Sequence, residues 1–271
     1  MRPTLALLRS SHPGPVVAVT TITVLLGVAV GLEPWRLAAL GGTLLLNQLS
    51  LGLANDWLDA ERDRAAGRPD KPVARGDVAP ATVRTAAFAT GAAALLLSIT
   101  LGLPFALAHA VALAGGWAYD LGVKRTVFSV VPYLVSFGLL PTLATLALPT
   151  PALPAWWAVA CGSLLGLAAH MANVMPDLAD DAATGVRGMP HRLGAARSTI
   201  LAGAALLLAG VLAGLPLGLP LALLGLILSP VVAGAAVVLA RHGSRWGFRL
   251  VIVAALLDVA LLVLAGSRMI A

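Results

Sequence analysis

Two short segments carry carboxylates at a spacing suited to divalent-cation and phosphate chemistry. The first reads Asn55-Asp56-Trp57-Leu58-Asp59-Ala60-Glu61-Arg62-Asp63 and the second Asn173-Val174-Met175-Pro176-Asp177-Leu178-Ala179-Asp180-Asp181, so both contain Asn-x-x-x-Asp-x-x-x-Asp, 118 residues apart. On a helix, positions i, i+4 and i+8 form one row, with about 6 Å of rise between successive members. Such a row repels itself, and near a membrane unpaired carboxylates cost still more. A cation must therefore reside there. Hard oxygen donors suit Mg²⁺, which takes one or two protein carboxylates and completes its shell with water and phosphate oxygens. Each segment is followed by a basic loop containing Gly and Pro: Arg68-Pro69-Asp70-Lys71-Pro72 to Gly76, and Arg187-Gly188-Met189-Pro190-His191-Arg192 to Gly194. Two facing rows would hold two or more Mg²⁺ ions with a diphosphate between them, and the neighbouring Arg and Lys side chains would neutralise the remaining phosphate charge. One such cluster alone reads equally well as helix-end acids on a solvated, salt-bridged loop. The repeated spacing argues for a functional duplication.

The elements that must position these rows are set by composition. Of 271 residues, 59% are hydrophobic, a further 28 are glycine and 11% are charged, against about 25% charged in soluble domains. A water-facing surface cannot be built from so few charges, which excludes a soluble globular domain. Apolar stretches long enough to cross a bilayer fall at 15–32, 37–54, 81–103, 105–121, 127–148, 153–176, 195–216, 218–240 and 247–267. Pro104 and the Leu215 to Pro220 stretch separate two adjacent pairs, which are expected to be tight hairpins. The spacing thus predicts an all-α polytopic bundle of nine transmembrane helices, a single domain over residues 1–271, with cytoplasmic active-site loops at about 55–80 and 177–194. With the N-terminus cytoplasmic, sixteen of the eighteen lysines and arginines lie on that side and only Arg36 and Arg268 fall outside, as the positive-inside rule requires. The net charge of +6 is thus mainly an orientation signal, and no nucleic-acid partner is expected. Ten of the twelve acids share the same face, where orientation does not need them. The single Cys161 lies in an apolar run and reads as packing.

At these residues the chain resembles the UbiA superfamily of intramembrane prenyltransferases, and the resemblance covers most of the sequence. Asn55-Asp56-x-x-Asp59-x-x-x-Asp63 with Arg68-Pro69-x-x-Pro72 and Gly76 matches the family's first motif, and Asp177 and Asp181, with Asn173 one turn earlier, match its second. Tyr119 with Lys124-Arg125 matches a third motif, whose usual form is Tyr-x-x-x-Lys; here Lys124 is five residues from Tyr119, so Lys124 and Arg125 share the assignment. The resemblance implies a nine-helix bundle with pseudo-twofold halves around a cavity open to lipid. In it the catalytic Asp59, Asp63, Asp177 and Asp181, with Asn55 and Asn173, would hold Mg²⁺ bridged to a polyprenyl diphosphate; Asp56 and Asp180, each one residue off the row, would assist or orient loops. Tyr119, Lys124, Arg125, Arg68, Lys71 and Arg192 would contact the diphosphate, and Arg9, before His12 and Pro13, is a weaker contact or a membrane anchor. The implied reaction is ionisation of the allylic C–O bond and capture of the carbocation by a small aromatic acceptor, in a cavity that excludes water. Trp57, Trp117, Tyr119, Tyr133 and Phe137 are candidates to stabilise the cation through their faces or to anchor the protein at the interface.

His170 shares a helix face with Asn173 and Asp177 and is a candidate for contacting the acceptor, or a histidine bonded between helices. Asn47, eight residues before Asn55, either faces the cavity or joins helices. Asp258 lies inside the ninth predicted span, and its role is open. Two other functions compete. A membrane terpene cyclase would use the same motifs without an acceptor. A secondary transporter would place its ionisable groups near the bilayer midplane, whereas here they gather at one face. The expected location is a cell membrane, crossed many times, with N-terminus and active site cytoplasmic.

Overall fold

Proline and glycine decide where the helices begin and end. The computed structural model describes residues 3–68, 70–178, 181, 185–218, 220, 223, 227, 231 and 245–271. Its long elements are α1 (Pro3–Ser10), α2 (Pro13–Ala29), α3 (Pro34–Leu58), α6 (Pro80–Ile99), α7 (Leu103–Leu121), α8 (Val131–Leu146), α9 (Trp156–Val174), α10 (Met189–Gly214) and α11 (Arg245–Ala265), with the short α4 (Ala60–Ala65) and α5 (Pro72–Arg75) between α3 and α6. Proline stands in the first turn of α2, α3, α5, α6, α7, α8 and α10, where its missing N–H costs nothing and its fixed φ favours the helix. Pro104 accordingly starts α7. The hairpin bend falls instead at 100–102, where Gly102 takes φ 102°.

Five described helices are long and apolar enough to cross a membrane, six if α1 and α2, bent by 62° at their junction, count as one broken span. The predicted span 218–240 lies almost wholly outside the described residues. The second predicted active-site loop is partly helical, because α10 begins at Met189 and kinks at Gly194 (φ 76°) rather than starting at 195. The first is likewise occupied by the end of α3 and by α4 and α5. Large apolar side chains face outward along the bundle: Leu96, Ile99, Leu103 and Val17 are all more than 60% exposed. Such a surface belongs in lipid.

Helix contacts are close because small residues line them. On α9, Gly162 and Gly166 lie against the backbone of Phe137 and Tyr133 of α8, and on α3, Gly52 lies against Ser11 at the α1–α2 bend. A Cβ at position 166 would collide with the Tyr133 carbonyl oxygen, and a backbone atom cannot swing aside. Gly166→Ala is therefore expected to cost about 1–3 kcal/mol by overpacking. A lower thermal midpoint in detergent would register it, and an unchanged midpoint would show that α8 and α9 are looser than described.

The end of the bundle away from the acidic motifs is also tied together. Arg36 Nη1 donates to the Ala147 carbonyl oxygen at 3.0 Å, at the C-terminus of α8. The Ala155 amide donates to the Met269 oxygen at 2.6 Å. Arg36, one of two basic residues outside the positive-inside pattern, thus spends its charge on helix-end carbonyls, where cations are favoured.

Candidate functional site

The first motif straddles a helix break. α3 ends at Leu58, Asp59 caps it, and α4 begins at Ala60. The hydrogen-bond ladder continues across the break, with Asp59 N donating to Asn55 O at 3.0 Å and Asp63 N to Asp59 O at 2.8 Å. Asn55, Asp59 and Asp63 therefore keep the i, i+4, i+8 register, and all three line a cavity of about 820 Å³. The second motif departs from the expected straight row. Pro176 has no N–H and restricts the residue before it, so α9 stops at Val174 and a 3₁₀ turn, Met175–Asp177, follows. Asn173 and Asp181 line the same cavity. Asp180 and the side chain of Asp177 lie outside the described residues.

Cations occupy the spaces between the carboxylates. Lys124, buried at the end of α7, donates to Asp59 Oδ1 at 2.8 Å and Oδ2 at 2.6 Å and sits 3.6 Å from Asp120. Arg62 donates to Asp59 Oδ2 at 2.9 Å and reaches Asp63 at 3.7 Å and Asp181 at 3.5 Å, so one guanidinium joins the two motifs. Lys71 donates to Asn55 Oδ1 at 3.3 Å and lies 3.5 Å from Asp56 and 3.8 Å from Asp63. The Asn55 amide in turn donates to Asp120 Oδ1 at 2.8 Å. Among the described residues no group of three or more His, Cys, Asp or Glu side chains is arranged to hold a metal. Ammonium and guanidinium groups neutralise these acids, and the side chain of Asp177 and all of Asp180, on which two facing rows depend, lie outside the described residues. One oxygen still fits an ion. Asp63 Oδ2 is buried and accepts no hydrogen bond among the described residues, and burial pushes the Asp63 carboxyl above its ordinary pKa, with Lys71 the strongest opposing influence. In the loop, the Arg68 guanidinium bonded to Asp70 holds that carboxyl down at about 2.

The structure separates the remaining sequence candidates. Tyr119, Lys124, Arg68, Lys71 and His170 line the cavity. Arg125, Arg192 and Arg9 are exposed and outside the lining. Asp56 is 1% exposed and lies behind the lining, against Lys71. Asn47 also misses this cavity: its Oδ1 pairs with His109 Nε2 at 3.2 Å between α3 and α7. Trp117 does not reach the cavity either; its indole donates to Ser50 Oγ and its ring stacks on Phe88. Polar residues of the site that carried no sequence assignment include Asp120, Arg62, Ser129 and His191, the last 3.6 Å from Asp181. Asp120 stands four residues before Lys124, but Gly122 ends α7 between them, so their meeting at 3.6 Å is a product of the turn and not of helical spacing.

Aromatic rings surround the next layer of the cavity. Tyr119 meets Tyr133 edge-on at 5.3 Å between centroids, Tyr133 lies 4.8 Å from the His170 ring, and Tyr133 and Phe137 are within 11° of parallel at 6.1 Å. Asn173 donates to the Tyr133 hydroxyl at 3.1 Å. Farther from the helix ends the lining turns apolar, with Val19, Ile22 and Leu26 of α2, Leu140 of α8, Leu165 of α9 and Leu262 of α11. The cavity is thus polar and charged at one end, aromatic in the middle and aliphatic beyond.

The comparisons agree with this architecture. A sequence model of the UbiA prenyltransferase family matches residues 16–267. The fold is similar to that of a UbiA homolog from Archaeoglobus fulgidus bound to GPP and Mg²⁺, with TM-score 0.72 and 15% identity over 96% of this chain and 99% of that one. It is also similar to a digeranylgeranylglyceryl phosphate synthase (TM-score 0.69, 14% identity, 99% of each chain). An apo UbiA homolog from Aeropyrum pernix K1 gives TM-score 0.69 and 16% identity over 96% of this chain and 98% of that one. No curated protein matches the sequence.

Proposed function

Because the chain belongs to the UbiA prenyltransferase family, we propose that it uses Mg²⁺ to transfer a prenyl group from a polyprenyl diphosphate to a small aromatic acceptor. The reading rests on the one-ended polarity of the cavity. Its volume of about 820 Å³ is within the roughly 300–1,000 Å³ of small-molecule sites. A charged head and an aliphatic tail are the two halves of a prenyl diphosphate, and the solved homologue from Archaeoglobus fulgidus holds GPP with Mg²⁺.

The donor set fits a hard divalent ion: Asn55, Asp59, Asp63 and Asp181 supply amide and carboxylate oxygens, and Asp63 Oδ2 is buried without a hydrogen bond. Asn173 in the lining, Asp56 behind it, and Asp177 and Asp180 of the second motif complete the proposed set. Bound there, Mg²⁺ supplies charge neutralisation for a leaving diphosphate. The chain's own residues do the rest. Lys124, Arg62, Lys71, Arg68 and the Tyr119 hydroxyl bind and orient the diphosphate at the polar end. The C–O electron pair leaves with the diphosphate oxygen, and the allylic carbocation is left beside the faces of Tyr119, Tyr133 and Phe137, which stabilise positive charge. Leu140, Leu165 and the α2 side chains exclude water, which would otherwise capture the cation. An electron-rich ring then attacks it through a ring carbon, forming the new C–C bond, and the proton on that carbon is lost to the released diphosphate, which restores the aromatic ring.

The distribution of lysine and arginine supports nine crossings of a cell membrane with the N-terminus and the polar end of the cavity cytoplasmic. The test is incubation of purified protein with geranylgeranyl diphosphate and Mg²⁺, with and without aromatic acids and hydroquinones. Prenylated product is expected only with acceptor, and chelation of Mg²⁺ should abolish it. A cyclic hydrocarbon formed without acceptor would identify a cyclase instead.

A further inference from the structure

One part of the cavity is built for neither diphosphate nor tail. Ser129, in the 3₁₀ turn Val127–Val130 that leads into α8, accepts a hydrogen bond from the Met189 amide at 2.8 Å. Its hydroxyl also lies 3.0 Å from His170 Nε2. Both side chains are fully buried, at 0% exposure. A buried hydroxyl hydrogen needs an acceptor, and His170 Nε2 is the one bonded to Ser129 among the described residues. The order of the chain is therefore fixed. Met189 N–H donates to Ser129 Oγ, Ser129 O–H donates to Nε2, and Nε2 must be the bare nitrogen of a neutral imidazole. The proton then sits on Nδ1.

That Nδ1 is buried and has no hydrogen-bond partner among the described residues, although His170 lines the cavity. An unpaired buried donor is costly, so its partner is expected to come from the ligand. The neighbouring rings describe that ligand. His170 is flanked by Tyr133 at 4.8 Å and Tyr119 at 5.9 Å, and Phe137 continues the Tyr133 stack. Flat apolar faces beside one fixed N–H donor suit a small aromatic ring that carries an oxygen lone pair.

We propose that His170 binds the acceptor substrate, its Nδ1–H donating a hydrogen bond to a carboxylate, carbonyl or phenolic oxygen of an aromatic ring packed against Tyr133 and Phe137, with Ser129 as the positioning residue that locks the tautomer. This rests on the transferase reading and adds the residue and the hydrogen bond that would hold its second substrate. Its consequence is selectivity for rings bearing an oxygen acceptor over hydrocarbons of the same shape.

The first test needs no turnover. ¹⁵N-histidine NMR of the wild-type protein in detergent should show His170 protonated at Nδ1 only. Ser129→Ala should release the lock and give a mixture of tautomers. Adding 4-hydroxybenzoate or benzoate as probes should shift the Nδ1 resonance, while toluene should not. The second test uses two substitutions that separate the nitrogens. His170→Asn places an amide near the Nδ1 position, and His170→Gln near that of Nε2. His170→Gln should raise the KM for the aromatic probe about tenfold, the worth of one lost hydrogen bond to a buried group; His170→Asn should recover most of this, and neither should change the KM for the prenyl diphosphate. An Nε2-protonated wild type, no Nδ1 response to either oxygen-bearing probe, or equal KM values for the Asn and Gln variants would each overturn the proposal. Absence of prenyl diphosphate consumption under any condition would instead count against the transferase reading, and the NMR result would still decide the state and ligand of His170.

Discussion

Asp63→Asn and Asp181→Asn are each expected to lower Mg²⁺-dependent prenyl diphosphate turnover about 100-fold or more, the scale on which removal of a charge-stabilising group at a reacting centre is felt, while the protein stays folded. Asn keeps the shape of Asp and removes its charge. At position 63 the structural cost should be small. Among the described residues Asp63 Oδ2 accepts no hydrogen bond, Arg62 and Lys71 are ion-pair neighbours of the carboxylate at 3.7 and 3.8 Å, and burial already favours the neutral carboxyl. A neutral amide there leaves the fold little worse off and deprives a divalent ion of a carboxylate. Asp181 sits 3.5 Å from Arg62 and 3.6 Å from His191, so its loss also weakens the Arg62 bridge between the motifs. Turnover measured across a Mg²⁺ titration, with thermal unfolding in parallel, separates the two effects. Wild-type rates at saturating Mg²⁺ would eliminate the proposed metal role for either residue.

The reasons why some of this site was legible in the sequence, and some was not, are physical. The register of Asn55, Asp59 and Asp63 survives because a break at Asp59 keeps the i to i+4 hydrogen bonds, so helical spacing still describes it. The second motif has the same letters but contains Pro176, and a 3₁₀ turn, Met175–Asp177, interrupts the row; proline chemistry overrides the spacing. The choice between Lys124 and Arg125 could not come from spacing. Gly122, between Tyr119 and this pair, ends α7, and the 3₁₀ turn Val123–Arg125 that follows turns Lys124 inward and Arg125 outward. Asn47 shows the limit of periodicity: eight residues from Asn55 it falls on a similar face of α3, yet α7 presents His109 there and covers it. The ring cluster and the Ser129 to His170 bond join residues 41 apart in the chain; such pairings depend on how α8 packs on α9, which no local pattern reports.

Lys124→Gln is expected to have the other large effect, and Arg125→Gln should change turnover by no more than about twofold, as for an exposed charge away from bound groups. Lys124 is 5% exposed and bonds both oxygens of Asp59 with Asp120 close by. Its loss leaves two buried carboxylates facing each other with Arg62 as the remaining strong donor to Asp59. Breaking a buried pair in this way costs about 3–5 kcal/mol, so the variant should unfold at a markedly lower temperature. The same argument predicts a partial rescue. If Asp59 contributes to a divalent-ion site, Mg²⁺ replaces the lost positive charge, and adding it should raise the variant's thermal midpoint more than that of the wild type, in which the ion must compete with Lys124. Turnover should not recover with stability, because the proposed contact of the ammonium with the departing diphosphate is lost as well. Lys124→Arg is expected to restore stability better than rate, since a planar fork cannot occupy the position of a compact ammonium between Asp59 and Asp120. A variant whose midpoint ignores Mg²⁺ would mean that Asp59 serves only as a structural partner of Lys124, and the metal assignment would then rest on Asp63 and the second motif alone.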